Sequence, residues 1–132
     1  MMNVDLGTLP ARCCQLGREY REAVRMTARI CDGIETLDGT YSGEFIACLA
    51  GEAHQISSEL TRLIDDWLDG PGGGMVDMIA AAAPRVIPLA VLVHVPRAEA
   101  RNRAYLVLRA YCEDGGTMDW LTWLTFGGRV TV

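Results

Sequence analysis

The sequence predicts an all-α fold, a compact helical bundle built on an N-terminal antiparallel helical hairpin. Three observations carry this. Apolar residues recur at steps of three and four over two long segments. The connector between those segments, residues 34–41, is short enough to force them antiparallel. The strongest break in the chain, Gly70-Pro-Gly-Gly-Gly74, comes only after the second segment. The rival expectation is α+β, with the hairpin followed by a small C-terminal sheet. At 132 residues the chain fits one domain, 1–132. It divides into a helical hairpin over 8–69, a Gly-rich joint over 70–74 and a C-terminal helical part over 75–128.

The first helix is expected over 8–33. Thr8 is placed to cap it, Pro10 to sit in its first turn and Gly33 to end it. Leu9, Cys13, Leu16, Tyr20, Val24, Thr27 and Ile30 share one face, and Arg18, Arg21, Arg25 and Arg29 share the other. Asp38-Gly39 signals the turn, after which Ser42 opens a second helix to about Asp69. Its stripe is Phe45, Leu49, Ala53, Ile56, Leu60, Leu63 and Trp67. The glycines at 70–74 read as a hinge or flexible joint, and MVDMIAAAA as a short helix stopped by Pro84. Residues 86–95 are ambiguous. Their β-branched content suggests a buried strand, whereas Pro88 favours an edge or a short helix.

Pro96 opens a helix over 97–113, with Glu99 and Arg103 as an i,i+4 pair and Ala100, Ala104, Val107, Leu108 and Tyr111 buried. A strand through the apolar run 104–108 is the alternative there. Thr117 is expected to cap a last helix over 118–126.

Half the residues are hydrophobic and 22% are charged, which excludes a disordered chain or a disulfide-stapled miniprotein. All twelve basic residues are Arg, a usage read as the codon bias of a GC-rich genome, bacterial or phage. The lack of Lys rules out a Schiff-base or P-loop lysine. The N-terminus does not read as a secretory signal, and the run 75–95 carries too many charges and prolines to read as a membrane span. No membrane association is expected, and the location expected is cytoplasmic. Five cysteines without Cys-x-x-Cys spacing give no zinc or redox motif. Cys13, Cys31 and Cys48, on or beside apolar stripes, read as small buried hydrophobes.

The net charge of −5 hides a partition. Residues 1–29 carry five Arg against three acids, residues 30–83 carry ten acids against Arg62 alone, and residues 84–132 carry six Arg against four acids. Glu52, Glu59 and Asp66 recur every seven residues on the flank of the second helix, with Asp65 and Asp69 beside them. They form an expected docking strip for a basic surface, whose bland reading is a solvated flank. Asp65-Asp66-x-x-Asp69 superficially resembles a metal motif, but it reads as solvated, and no metal or cofactor is expected. The Arg18, Arg21, Arg25 and Arg29 stripe reads as a solvated face, with anion contact as its sharper alternative. In Asp119–Phe126, Trp120 and Trp123 share a helical face, which reads either as core or as an aromatic contact patch.

No catalytic constellation can be assembled. His54 projects away from the apolar stripe of its helix and reads as exposed, and His94 sits in an apolar run and reads as a core histidine. G-x-S-x-G, H-E-x-x-H and G-x-G-x-x-G are all missing. The expected function is a non-enzymatic protein-binding module acting as inhibitor, adaptor or assembly factor on a larger, nucleic-acid-handling partner, in the manner of a phage or mobile-element protein. The candidate contact residues are Glu52, Glu59, Asp65, Asp66, Asp69, Trp120 and Trp123, and a homodimer is expected because the apolar helix faces exceed what a small monomer covers. The alternative is a DNA-associated regulator using Arg18, Arg21, Arg25 and Arg29. The acidic charge and the length of the 34–41 connector, too long for a helix-turn-helix, weigh against direct nucleic-acid binding.

Overall fold

The computed structural model describes residues 4–37, 43–114 and 118–127, and every regular element among them is helical. The fold is a compact helical bundle with its first two helices packed together; the sheet alternative has no strand to support it among the described residues. Helices α1 (Ala11–Leu37) and α2 (Gly43–Asp69) form the hairpin. A 3-10 turn (Gly73–Met75) leads into the short helices α3 (Val76–Ala81), α4 (Ala83–Val86) and α5 (Leu89–Leu92). Then come α6 (Ala100–Glu113) and α7 (Trp120–Thr122), the latter running into a wider π turn at Trp123–Gly127. No helix of the described residues is long and apolar enough to cross a membrane.

Several local expectations shift. Helix α1 begins at Ala11, not at Thr8, and runs through Gly33. The Thr8 hydroxyl instead accepts the indole N–H of Trp67 at 2.9 Å, so it ties the N-terminal segment to α2. The Gly-rich joint is a folded turn and not a hinge. The amides of Gly70 and Gly72 both donate to the Trp67 carbonyl, at 3.2 and 2.8 Å. A Cβ on Gly72 would lie 2.3 Å from the Trp67 ring, so the glycine is what lets the turn fold against the indole. The ambiguous 86–95 run forms the end of α4 and α5, with Pro88 immediately before α5. The Glu99–Arg103 pair does not form. Glu99 accepts from Asn102 at 2.8 Å, while Arg103 donates twice to the Val95 carbonyl, at 3.1 and 2.8 Å. The Asp38-Gly39 turn and the Ser42 and Thr117 caps lie outside the described residues. Asp119 caps α7, accepting from the Thr122 amide at 3.3 Å.

Helix α6 organises the core. It runs antiparallel to α2, with Arg101 beside Asp65 and Asp69, Tyr105 beside Thr61 and Arg109 beside Ser57. Its apolar face buries Ala104, Val107, Leu108, Tyr111 and Cys112 against Leu16, Leu60, Ile64 and Ile79. It meets α1 at Gly17, where a Cβ would stand 2.4 Å from the Cys112 carbonyl carbon and 2.5 Å from its oxygen. Only glycine permits so close a crossing.

Because α6 ends near Tyr20 and Arg21, it covers only the inner half of the hairpin. Among the described side chains, none of α1 beyond Gly17 is fully buried, and none of α2 before Ala53. Val24 and Met26 are each 45% exposed. Among the described side chains, the stripes read from the sequence are therefore core only at their inner ends, where α2 also buries Ile64 and Leu68 outside its expected stripe. The outer hairpin projects as a two-helix arm.

Candidate functional site

The arm's inner end is closed by Arg109, which the sequence did not single out. Its guanidinium donates to Ser57 Oγ at 2.7 Å, Tyr105 Oη at 2.9 Å, Thr61 Oγ1 at 3.2 Å and Glu113 Oε2 at 3.3 Å. It also lies 4.6 Å from the centroid of the Tyr20 ring, a cation–π contact. Burial works against the charge, but Tyr105, Glu113 and Tyr20 outweigh it and hold the group protonated. One side chain thereby joins α1, α2 and α6. The sequence held a faint signal: Tyr105, Arg109 and Glu113 follow at steps of four, as do Ser57 and Thr61 on α2.

Beyond Arg109 a groove of about 470 Å³ continues between α1 and α2, lined by Tyr20, Val24, Thr27, Ala28, Ala50, Ala53, His54 and Ser57. Tyr20 and Ser57 belong both to this groove and to the Arg109 cluster, so the groove begins where α6 stops. Arg21 grips the end of α6, donating to Asp114 Oδ1 at 3.1 Å and the Glu113 carbonyl at 3.3 Å. A guanidinium at a helix C-terminus faces the negative end of the helix dipole.

The acidic strip is largely taken up by the chain's own arginines. Glu59 pairs with Arg12 at 3.4 Å, Asp66 with Arg62 at 3.7 Å, and Arg101 joins Asp65 at 3.2 Å and Asp69 at 2.8 Å. Glu52 and Glu59 line a shallower groove on the opposite side of the hairpin with Arg12, Leu16, Glu19, Gln55 and Ile56. Among the described residues, no group of three His, Cys, Asp or Glu is arranged to hold a metal ion.

Trp120 and Trp123 are core, not a contact patch, being 6% and 2% exposed. They pack with Tyr111 at centroid distances of 5.9 and 5.1 Å, and with each other at 5.6 Å. Trp123 Nε1 donates to Asp114 Oδ2 at 2.7 Å, and the Tyr111 hydroxyl donates to the Met118 carbonyl. Burial pushes the Tyr111 phenol up to about 12. A contact role for the two tryptophans is thus corrected by the burial they achieve within the chain.

The sequence matches no family model, no curated protein and no solved structure. The site therefore stands on its own geometry.

The histidines and cysteines complete the site's chemistry. His54 is exposed on the groove wall as expected, but His94 is exposed rather than in the core. Cys48 is likewise exposed, Cys13 is buried as expected, and the Cys31 side chain lies outside the described residues. Cys14 and Cys112, neither marked out by the sequence, meet beside Gly17 and share a thiol hydrogen bond. An isolated glycine within an apolar helical pattern was the available signal that two backbones approach there.

Proposed function

We propose that this chain is a small non-enzymatic protein-binding module that acts as an inhibitor, adaptor or assembly factor on a larger partner. The observation that supports this reading is the apolar groove of the hairpin arm, which the described residues leave open. Two amphipathic helices packed only on each other leave part of each apolar stripe open, and a third helix closes it. Helix α6 does so for the inner half, so the outer half offers a berth for a helix from another protein.

The rim chemistry narrows the occupant. Arg21 of α1 already meets the Glu113 carbonyl and the Asp114 carboxylate at the end of α6. An amphipathic helix with acidic residues along one flank completes the same pattern. The acidic strip is not the contact surface in this reading, because Arg12, Arg62 and Arg101 neutralise most of it. Its compartment is the cytoplasm, in keeping with five cysteines that show no disulfide framework in their spacing.

The test uses the tagged full chain and its Val24→Glu variant. Val24 is 45% exposed, so the substitution should leave the fold unchanged within about 0.5 kcal/mol. The expected result is a stoichiometric complex with a heterologous protein that Val24→Glu abolishes at unchanged melting temperature. A complex that survives Val24→Glu overturns the assignment to the arm. A homodimer by light scattering that Val24→Glu dissociates would put a second copy of the chain in the groove and overturn the larger partner.

A further inference from the structure

We infer that Cys14 and Cys112 are a built dithiol that a peroxide oxidises to an intrachain disulfide, locking α1 to α6. The geometry carries the inference. The two residues lie on different helices and 98 positions apart in sequence (112 less 14). They are brought together by the glycine crossing one turn beyond Cys14, where a Cβ on Gly17 would stand only 2.8 Å from Cys112 Cβ. The Cys112 thiol hydrogen-bonds to the sulfur of Cys14. Two thiols on facing turns of a close helix crossing are what disulfide formation requires, with little backbone movement.

The two thiols are unequal in the way such a pair needs. Cys14 is partly exposed at the start of α1, and Cys112 is fully buried. Hydrogen bonding from Cys112 lowers the Cys14 thiol to about 7, against opposing burial and with help from Arg18 one turn along. Cys112 is raised, because its proton is held in that hydrogen bond and its site is dry. Cys14 is thus the thiolate that meets the oxidant and Cys112 the thiol that resolves it. Adjacent Cys13 is buried and pushed up to about 11, which keeps it out of the reaction.

The oxidant is a peroxide. The Cys14 thiolate attacks one peroxide oxygen, the O–O bond breaks and hydroxide leaves, giving a sulfenic acid at Cys14. The Cys112 sulfur then attacks the Cys14 sulfur. The S–S bond forms, the S–O bond breaks, and the oxygen leaves as water with the Cys112 proton. The hydroxide collects the proton first shed by Cys14. Two thiols and one hydrogen peroxide become one disulfide and two waters, with the two electrons passing from sulfur to peroxide.

The experiment is titration of the reduced full chain with hydrogen peroxide, followed by peptide mapping without reductant. The expected product is a Cys14–Cys112 cross-linked peptide from monomeric chains, two hydrogens lighter than its parts and reversed by dithiothreitol. Its formation should rise with pH and reach half-maximal rate near pH 7, set by the Cys14 thiol at about 7. The Cys112→Ser variant should accumulate a dimedone-reactive sulfenic acid at Cys14. Should that variant fail to fold, the wild-type map alone decides. Oxidation of Cys14 without linkage to Cys112, or a first disulfide through Cys48 between chains, overturns the inference.

Discussion

Gly17→Ala is expected to destabilise the protein although it replaces a helix-disfavouring residue by the best helix former. In an open helix the change stabilises by about 0.5–1 kcal/mol. Here the new methyl would meet the Cys112 carbonyl carbon at 2.4 Å and its oxygen at 2.5 Å, against an ordinary contact of 3.4 Å or more. Both obstacles are backbone, so no rotamer change relieves them. The helices must separate by roughly 1 Å, which loosens Cys13, Leu16, Leu108 and Cys112 together. Overpacking against backbone that no rotamer relieves falls in the upper part of the usual range, about 2–3 kcal/mol, so the net loss is about 1–2.5 kcal/mol. For a chain this long, that lowers the melting temperature by about 4–10 °C. Gly51→Ala is the matched control: Gly51 is exposed on α2 with nothing within 4 Å of its would-be Cβ. It should raise the midpoint by about 2–4 °C. Circular dichroism melts of both variants decide the matter. A Gly17→Ala protein that melts at or above the wild type would refute the crossing as described.

Other perturbations probe the hub and the aromatic cluster. Arg109→Met keeps the apolar stem but leaves the hydroxyls of Ser57, Thr61 and Tyr105 without their shared donor, and should cost about 2–4 kcal/mol in urea unfolding. Wild-type stability in that variant would mean the hub does not join the three helices. The Tyr111 phenol is raised from 10.0 to about 12 by burial first, then by Cys14, Cys112 and Asp119. Since the folded value lies above the unfolded one, its contribution is complete below pH 10 and lost as pH climbs toward 12. Unfolding midpoints of the wild type should fall across that window, and those of Tyr111→Phe should fall less.

What the sequence determined by itself is the all-α class, the hairpin and the inner core positions, because these follow from local period. Cys13, Leu16, Leu60, Trp67, Ala104, Val107, Leu108 and Tyr111 were all legible as apolar helix faces and are all buried. Short-range rules do not say where a covering helix stops. The same stripe that buries Leu16 therefore leaves Val24 open, and Cys48 and His94 lie exposed despite apolar neighbours. Nor does charge pattern reveal a partner distant in sequence: Arg101 on Asp65 and Asp69, and Arg109 among Ser57, Thr61 and Tyr105, exist only because α6 lies antiparallel on α2. The Cys14–Cys112 meeting depends on the tertiary structure in the same way. It needs two helices far apart in the chain to cross at a glycine, and only packing decides which helix a glycine admits.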